Sequence, residues 1–566
     1  MHRSRISRTL AGRLLKGPTA IMRNLNLLLG LSLASACTGG PSAPQDPPVL
    51  TITSPQRSLI QNGAGTVTVT GTVTPNAEAT PIQSVMVNDV AATVNADGSF
   101  SVNVQVQEGA TLLHTVALDT NNDQATDTRS VEAGANHAAG SMIPTAVTAA
   151  ISKQAFAKIA GAAGPIITSM NVMPMLAPLQ PMVHAGDEDG PDCLYGQLFV
   201  DNLTMTNAVI SLVPVAGGLQ FSAELDGLDV PGHVNYEVAC LGGTDNTDIK
   251  ATKVVVAGTL QVAPDGKGGF TTNLASPTVN ITGLDISSGG LPGDILDILP
   301  LDSAIETIAP IAANLFANPL MNQALGALAG PKTLSVLGTN LTVNVLPSAI
   351  NFTADAGVVG LDMSLELAGA DGKGFTYVDD GMPAMNAGAG MQLGLADNLA
   401  NDLVAQAAAL NLVNISMPAT GGTFDTTAVA LTSPPMISAT AADGKLRLVL
   451  PDMTATYLYQ GATVAQAAIN AQVELAVAPN QTGLGVAIEL GTPDIYVDVL
   501  PTVTNETHYT ADDLASASKI ALTAQIASVS ALLGDIPLPA LAGIQLSGLS
   551  IGADSGYVML TAQGLQ

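Results

Sequence analysis

The chain has 566 residues, with 46 acidic against 18 basic side chains and a formal charge of −28. A polyanion of this size repels nucleic acid at long range, which excludes DNA or RNA as a partner. Apolar residues make up 47% and charged residues only 11%, the opposite of a disordered composition, so the chain builds a large aliphatic core or encloses an apolar ligand.

Six of the basic residues (Arg3, Arg5, Arg8, Arg13, Lys16 and Arg23) fall in the first 36 positions, which hold no acidic residue. Residues 22–37 read MRNLNLLLGLSLASAC: a basic region, an apolar stretch, the small residues Ala34, Ser35 and Ala36, then Cys37. This is a secretory signal, and it resembles that of bacterial lipoproteins, although Ala34 stands where that family usually has Leu. The resemblance implies that residues 1–36 are removed and that Cys37 is lipidated. It also implies an outer-membrane lipoprotein of the bacterial cell envelope, facing the periplasm or the cell surface. The apolar run is shorter than the roughly 20 residues of a spanning helix. Residues 37–48 continue as a Gly/Pro/Ser tether. With Cys37 lipidated, Cys193 and Cys240 remain; an exported chain joins such a pair in a disulfide, the alternative being two free thiols.

Residues 49–133 alternate with period two. Thr66-Val67-Thr68-Val69-Thr70 is one such run, and Phe100, Val102, Val104 and Val106 form another after the Asn95-Ala96-Asp97-Gly98 turn. The pattern predicts a β-sandwich similar to bacterial immunoglobulin-like (Ig-like) modules, which usually serve as spacers. Asn121, Asn122 and Asp123 offer oxygen ligands for Ca²⁺ or simply make a turn.

From residue 140 onward the sequence predicts two units, 140–350 and 351–566, each mixing strands with apolar helices. In the first, a helix is expected over 141–167, with Phe156, Ile159 and Ala160 on one face, then strands over 197–281. A second helix is expected from Ser303, where Ser303-Ala304-Ile305-Glu306 fits a capping box and Ile305, Ile308, Ala312 and Leu315 follow at helical spacing. In the second unit a helix is expected over 395–409 (Leu395, Leu399, Leu403 and Ala407), then strands over 411–500. Another helix is expected from about 510, with Leu522, Ile526, Val529 and Leu533 on one face and Gly534 as its stop. Asp265-Gly266-Lys267-Gly268-Gly269-Phe270 and Asp371-Gly372-Lys373-Gly374-Phe375 echo each other as an internal duplication would.

Four short elements then carry a family resemblance. Residues 150–156 read AISKQAF, 393–401 read LGLADNLAN, 433–437 read SPPMI, and 536–539 read IPLP before Ile544-Gln545-Leu546. In this order they resemble the tubular lipid-binding family of bactericidal/permeability-increasing, lipopolysaccharide-binding and cholesteryl-ester-transfer proteins, over residues 141–566. The resemblance implies an α+β architecture: two tandem twisted antiparallel β-barrels, each wrapped on long helices, behind the all-β Ig-like sandwich. It also implies apolar channels between helix and sheet that hold acyl chains. Cys193 and Cys240 do not match the family's disulfide positions, and its basic tip is missing, which argues against neutralising lipopolysaccharide.

Catalytic patterns are thin. Gly548-Leu549-Ser550-Ile551-Gly552 matches G-x-S-x-G, but no His follows it. The six histidines (His2, His114, His137, His184, His233 and His508) show no metal-binding spacing. Asp187, Glu188, Asp189 and Asp192 offer either a Ca²⁺ site or a solvated loop. Met170, Met173, Met175 and Met182 line a soft channel or fill a core. The expectation is a non-enzyme with no cofactor and no metal, binding or transferring phospholipid or another acyl-chain lipid and held to the membrane by its N-terminal anchor. Channel candidates are Phe156, Ile159, Ile305, Ile308 and Leu315 in the first unit, and Leu399, Leu403, Leu522, Ile526 and Val529 in the second; each either lines a channel or fills the core. The alternative is a structural or adhesive surface lipoprotein that holds no ligand.

Overall fold

The computed structural model describes residues 47–566, apart from 189, 192, 300–331, 337–338, 371–373, 389, 412–414, 419–423, 440–445, 480–484, 501–510, 533–534, 538–545 and 566. The period-two segment forms a sandwich of a four-stranded and a five-stranded sheet. Its alternating valines (Val67, Val69, Val102, Val104 and Val106) close one aliphatic core with Phe100 and Leu113, as a strand with one buried face requires.

The rest of the chain is organised by a seven-stranded antiparallel sheet. Its order is Lys332–Val336, Thr339–Phe352, Ala356–Leu367, Ile143–Ser152, Met391–Ala396, Tyr557–Leu565, Leu546–Asp554. Ile143–Ser152 sits at the junction, paired on one side with Ala356–Leu367 and on the other with Met391–Ala396. Each of the two junction strands, Ile143–Ser152 and Met391–Ala396, runs directly into a helix, Lys153–Ser169 and Asp397–Ala409 respectively. The strand–helix unit therefore occurs twice, in antiparallel copies.

Two further sheets flank this centre. A six-stranded sheet carries three long strands, Gly218–Val238, Leu241–Pro264 and Phe270–Ser288. An eight-stranded sheet is built around Leu446–Tyr459 and Ala462–Pro479, with the helix Ala511–Leu532 against it. The chain is thus mostly β-sheet. Among the described residues, the six-stranded sheet does not close: its order runs from Val183–Asp187 to Phe270–Ser288 and no pairing joins those ends. The two closed barrels on long helices expected from the sequence are not what this sheet shows.

Three sequence expectations need correction. Residues 143–152 are a strand, not the first part of a helix. Every residue from Ala146 to Ser152 is buried, and a strand covered on both faces loses the alternation that would reveal it. The helix begins at Lys153, capped by Ser152, whose Oγ accepts from the N–H of Ala155 at 3.2 Å. In the second unit the helix starts at Asp397, not at 395, because Leu395 and Ala396 still pair in the sheet. The boundary placed at 350/351 falls inside the strand Thr339–Phe352, which continues as a hairpin into Ala356–Leu367. The helix expected from Ser303, with Ile305, Ile308 and Leu315, lies outside the described residues, as does Cys37.

Candidate functional site

The three long strands present one apolar face inward. Leu219, Phe221, Ala223 and Leu225 line it, and then the inward set shifts by one residue to Leu228, Val230 and Val234. The neighbouring strand makes the same shift between Ala251 and Val254, and Phe270–Ser288 makes it between Ile281 and Leu284. Gly227 and Gly283 stand at the shift with φ of 58° and 65°. A Cβ on Gly283 would lie 2.3 Å from Thr252 Oγ1, so a glycine is required where the strands crowd at this bend.

Among the described residues, the inward face is only half covered at its last strand. Val256, Val254, Ala251 and Ile249 are buried, and their cross-strand partners on the last strand are Val279, Ile281, Leu284 and Ile286. Of these, Val279, Ile281 and Ile286 are only half-buried against the core, and Leu284 is 37% exposed. The far edge of this strand has no ladder partner among the described residues. A row of partly exposed apolar side chains thus runs along the open edge, continuous with the core. The opposite face is polar: Lys253 Nζ bonds Glu224 Oε1 at 2.5 Å, and Lys250 pairs with Asp248. These exposed pairs contribute little to stability but keep that face wet.

Phe156 is buried where the helix Lys153–Ser169 meets the central sheet, with its ring 6.1 Å from that of Phe352. Ile159 is half-buried against the same cluster. Gly164 lets the helix approach Ala208 so closely that a Cβ would lie 2.3 Å from the Ala208 carbonyl oxygen. Leu399 and Leu403, expected in the second unit, are half-buried against this same first cluster. Leu522 is buried in a separate cluster with Tyr457, Ile469 and Leu514, so the structure does not bring the three leucines together. The side chains of Ile526 and Val529 lie outside the described residues. Met182 is buried in the first cluster, and Met170 and Met173 pack against it.

The helix Asp397–Ala409 buries a polar stripe that leucine spacing did not reveal: Asn398, Asn401, Asp402 and Gln406. Asn398 takes the N–H of Val378 at 3.1 Å and donates to its carbonyl at 2.7 Å. Asn401 does the same for Ile437, at 2.6 and 3.0 Å. Gln406 accepts from Leu367 N–H and donates to Leu365 O, both at 2.8 Å. Each amide thus replaces a missing strand partner, as buried backbone groups demand. The signal in the sequence is the recurrence of Asn398, Asn401 or Asp402, and Gln406 at three- to four-residue steps. Burial pushes the Asp397 carboxyl up to about 7, although its Oδ2 accepts from Ala439 N–H at 2.8 Å.

A second polar centre joins the Ig-like sandwich to the eight-stranded sheet. Arg57 donates to Asp452 Oδ1 and Asp127 Oδ2, both at 3.1 Å, and to Asp498 Oδ2 at 3.3 Å. Asp452 Oδ2 also accepts from the N–H groups of Ser58 (2.6 Å) and Ser130 (3.0 Å). Asp498 Oδ2 accepts from Thr128 N–H at 2.9 Å, and Asn470 Nδ2 donates to Thr128 O at 2.8 Å. Arg57 thus faces three carboxylates. Burial, with Asp127 nearby, raises Asp498 to about 7, outweighing its hydrogen bonds and Arg57. The module is docked rather than held off as a spacer.

Cys193 and Cys240 form a disulfide with Cα atoms 4.8 Å apart. It ties the tip of the Gly218–Val238/Leu241–Pro264 hairpin, where Ala239 and Cys240 both have positive φ, to the start of the strand Leu194–Val200. Ser550 lies mid-strand opposite Thr561, not on a strand-to-helix elbow.

Residues 48–135 match the family described as glucodextranase, domain B. No curated protein sequence matches the chain. The crystal structure of a lipopolysaccharide binding protein superposes with a TM-score of 0.32 and 17% identity, over 75% of this chain and 99% of that one.

Proposed function

We propose that the protein is a non-catalytic lipid binder of the bacterial cell envelope: an outer-membrane lipoprotein, anchored through a lipidated Cys37, that holds an acyl chain of a phospholipid or similar lipid and stores or transfers it. The observation that supports this reading is the apolar row of Val279, Ile281, Leu284 and Ile286, which continues the core and stays partly exposed at a sheet edge that has no ladder partner among the described residues. Each methylene moved from water onto such a surface contributes about 0.8 kcal/mol, so affinity needs no polar chemistry.

Native mass spectrometry of protein purified without detergent tests the reading. The expected result is co-purifying phospholipid, with the adduct lost in Leu284→Asp while the fold is kept. Protein free of lipid, and unable to take up phospholipid from vesicles, would refute it and favour a surface lipoprotein with a structural or adhesive role.

A further inference from the structure

The turn between the strands Gly109–Asp119 and Gln124–Ala133 reads Asp119-Thr120-Asn121-Asn122-Asp123. Asp119 Oδ1 accepts from the N–H groups of Asn121 at 2.8 Å and Asp123 at 2.9 Å. The same construction closes the hairpin of the long strands, where Asp265 Oδ1 accepts from Lys267 N–H at 2.7 Å and Gly269 N–H at 2.8 Å. The second turn is an internal control for the first.

The two differ where a cation matters. Asp265 sits in a wet hairpin turn, with the Lys267 ammonium near its carboxylate. Asp119 is 0% exposed, and its Oδ2 has no hydrogen-bond partner. At the positions of Lys267 and Gly269 this turn has Asn121 and Asp123, both oxygen donors. Asn121 Nδ2 lies 3.5 Å from the hydroxyl of Thr80, a buried residue of the facing loop, and among the described residues no ion pair reaches Asp119 or Asp123. A sealed carboxylate oxygen without a donor is costly unless something positive meets it. Oxygen ligands at i, i+2 and i+4 are the spacing with which Ca²⁺ loops place their first three ligands. All the available donors are hard oxygens, which suits Ca²⁺ rather than a thiolate- or imidazole-seeking metal.

We propose that Asp119, Asn121 and Asp123, with Thr80 from the facing loop, form a Ca²⁺ site that clamps this end of the Ig-like module. It is independent of the proposed lipid-binding edge. The test is hydrogen exchange by mass spectrometry on the intact chain, in EDTA and then in millimolar CaCl₂, together with calorimetric titration of CaCl₂. Exchange across 119–124 is expected to slow several-fold, with a dissociation constant of about 10⁻⁴–10⁻³ M, as in extracellular Ca²⁺ modules. Asp119→Asn keeps the Oδ1 acceptor and the turn, and is expected to abolish the response. Asp123→Ala, at a half-exposed position, is expected to weaken it at least about tenfold, and Asp265→Asn to leave it unchanged. Equal exchange in Ca²⁺ and EDTA would overturn the site. So would a response that survives both Asp119→Asn and Asp123→Ala, which would mark diffuse binding to the polyanion.

Discussion

The two halves of the body begin with the same unit, a strand of the central sheet running straight into a helix, and they finish differently. The six-stranded sheet of the first half turns an apolar face inward and leaves its last strand half covered. The eight-stranded sheet of the second half turns a polar patch outward, where Asp452, Asn470 and Asp498 receive the Ig-like module. The two halves thus differ in the chemistry their sheets present, apolar at an open edge in one and polar beneath the docked module in the other.

The largest effect is expected at the docking centre. Arg57→Ala leaves Asp452 and Asp498 without their cation, while Asp127 keeps Arg129, whose Nε lies 2.9 Å from its Oδ1. Removing one partner of a buried ion pair typically costs about 3–5 kcal/mol. Urea unfolding should show that loss, small-angle scattering should show a larger radius of gyration, and lipid binding should persist. If the module stays docked at unchanged stability, the charge centre is not what holds it.

A smaller effect is expected from the buried amides of the polar helix. Asn401→Ala strands both the N–H and the carbonyl of Ile437, a loss of about 1–3 kcal/mol readable as a lowered Tm. Leu403→Ala on the same helix, at a half-buried position, should cost less. The opposite ranking would mean that the leucine stripe, not the polar stripe, seats the helix.

The pH dependence is gentler still. Asp397 and Asp498 are raised to about 7 and Asp380 to about 6, burial being the first cause in each. A carboxyl whose folded value lies above its ordinary one favours the folded state at low pH, and that contribution is lost as pH rises from about 4 through 7. The slope is at most about 1.4 kcal/mol per pH unit per group. Tm should therefore fall between pH 5 and pH 8, and Asp498→Asn should flatten the profile. A Tm that rises over this window would contradict the assignment.

Much of the sandwich was legible in the sequence because each strand has one wet and one dry face. The long strands of the first half were legible only as strand-rich sequence. Their inward set slips by one residue at Gly227, near Thr252 and at Gly283, so no single alternation runs their length. Ile143–Ser152 was read as helix because burial on both faces removes the period. The docking centre gave no local signal, since Arg57, Asp127, Asp452 and Asp498 are brought together only by the fold. The apolar row at the sheet edge is equally hidden: Val279, Ile281, Leu284 and Ile286 look like any strand until their cross-strand partners show which face they share. Helical spacing points instead to Phe156, which is buried, and to Leu399 and Leu403, which are half-buried against the first cluster.

Photo-crosslinking with a phospholipid carrying a diazirine on its acyl chain, followed by peptide mapping, tests the proposed lipid-binding edge. Label is expected to concentrate on the strand Phe270–Ser288, at Val279, Ile281, Leu284 and Ile286, and to disappear when unlabelled phospholipid competes. Label confined to the Ig-like module, or spread over the surface without competition, would contradict it.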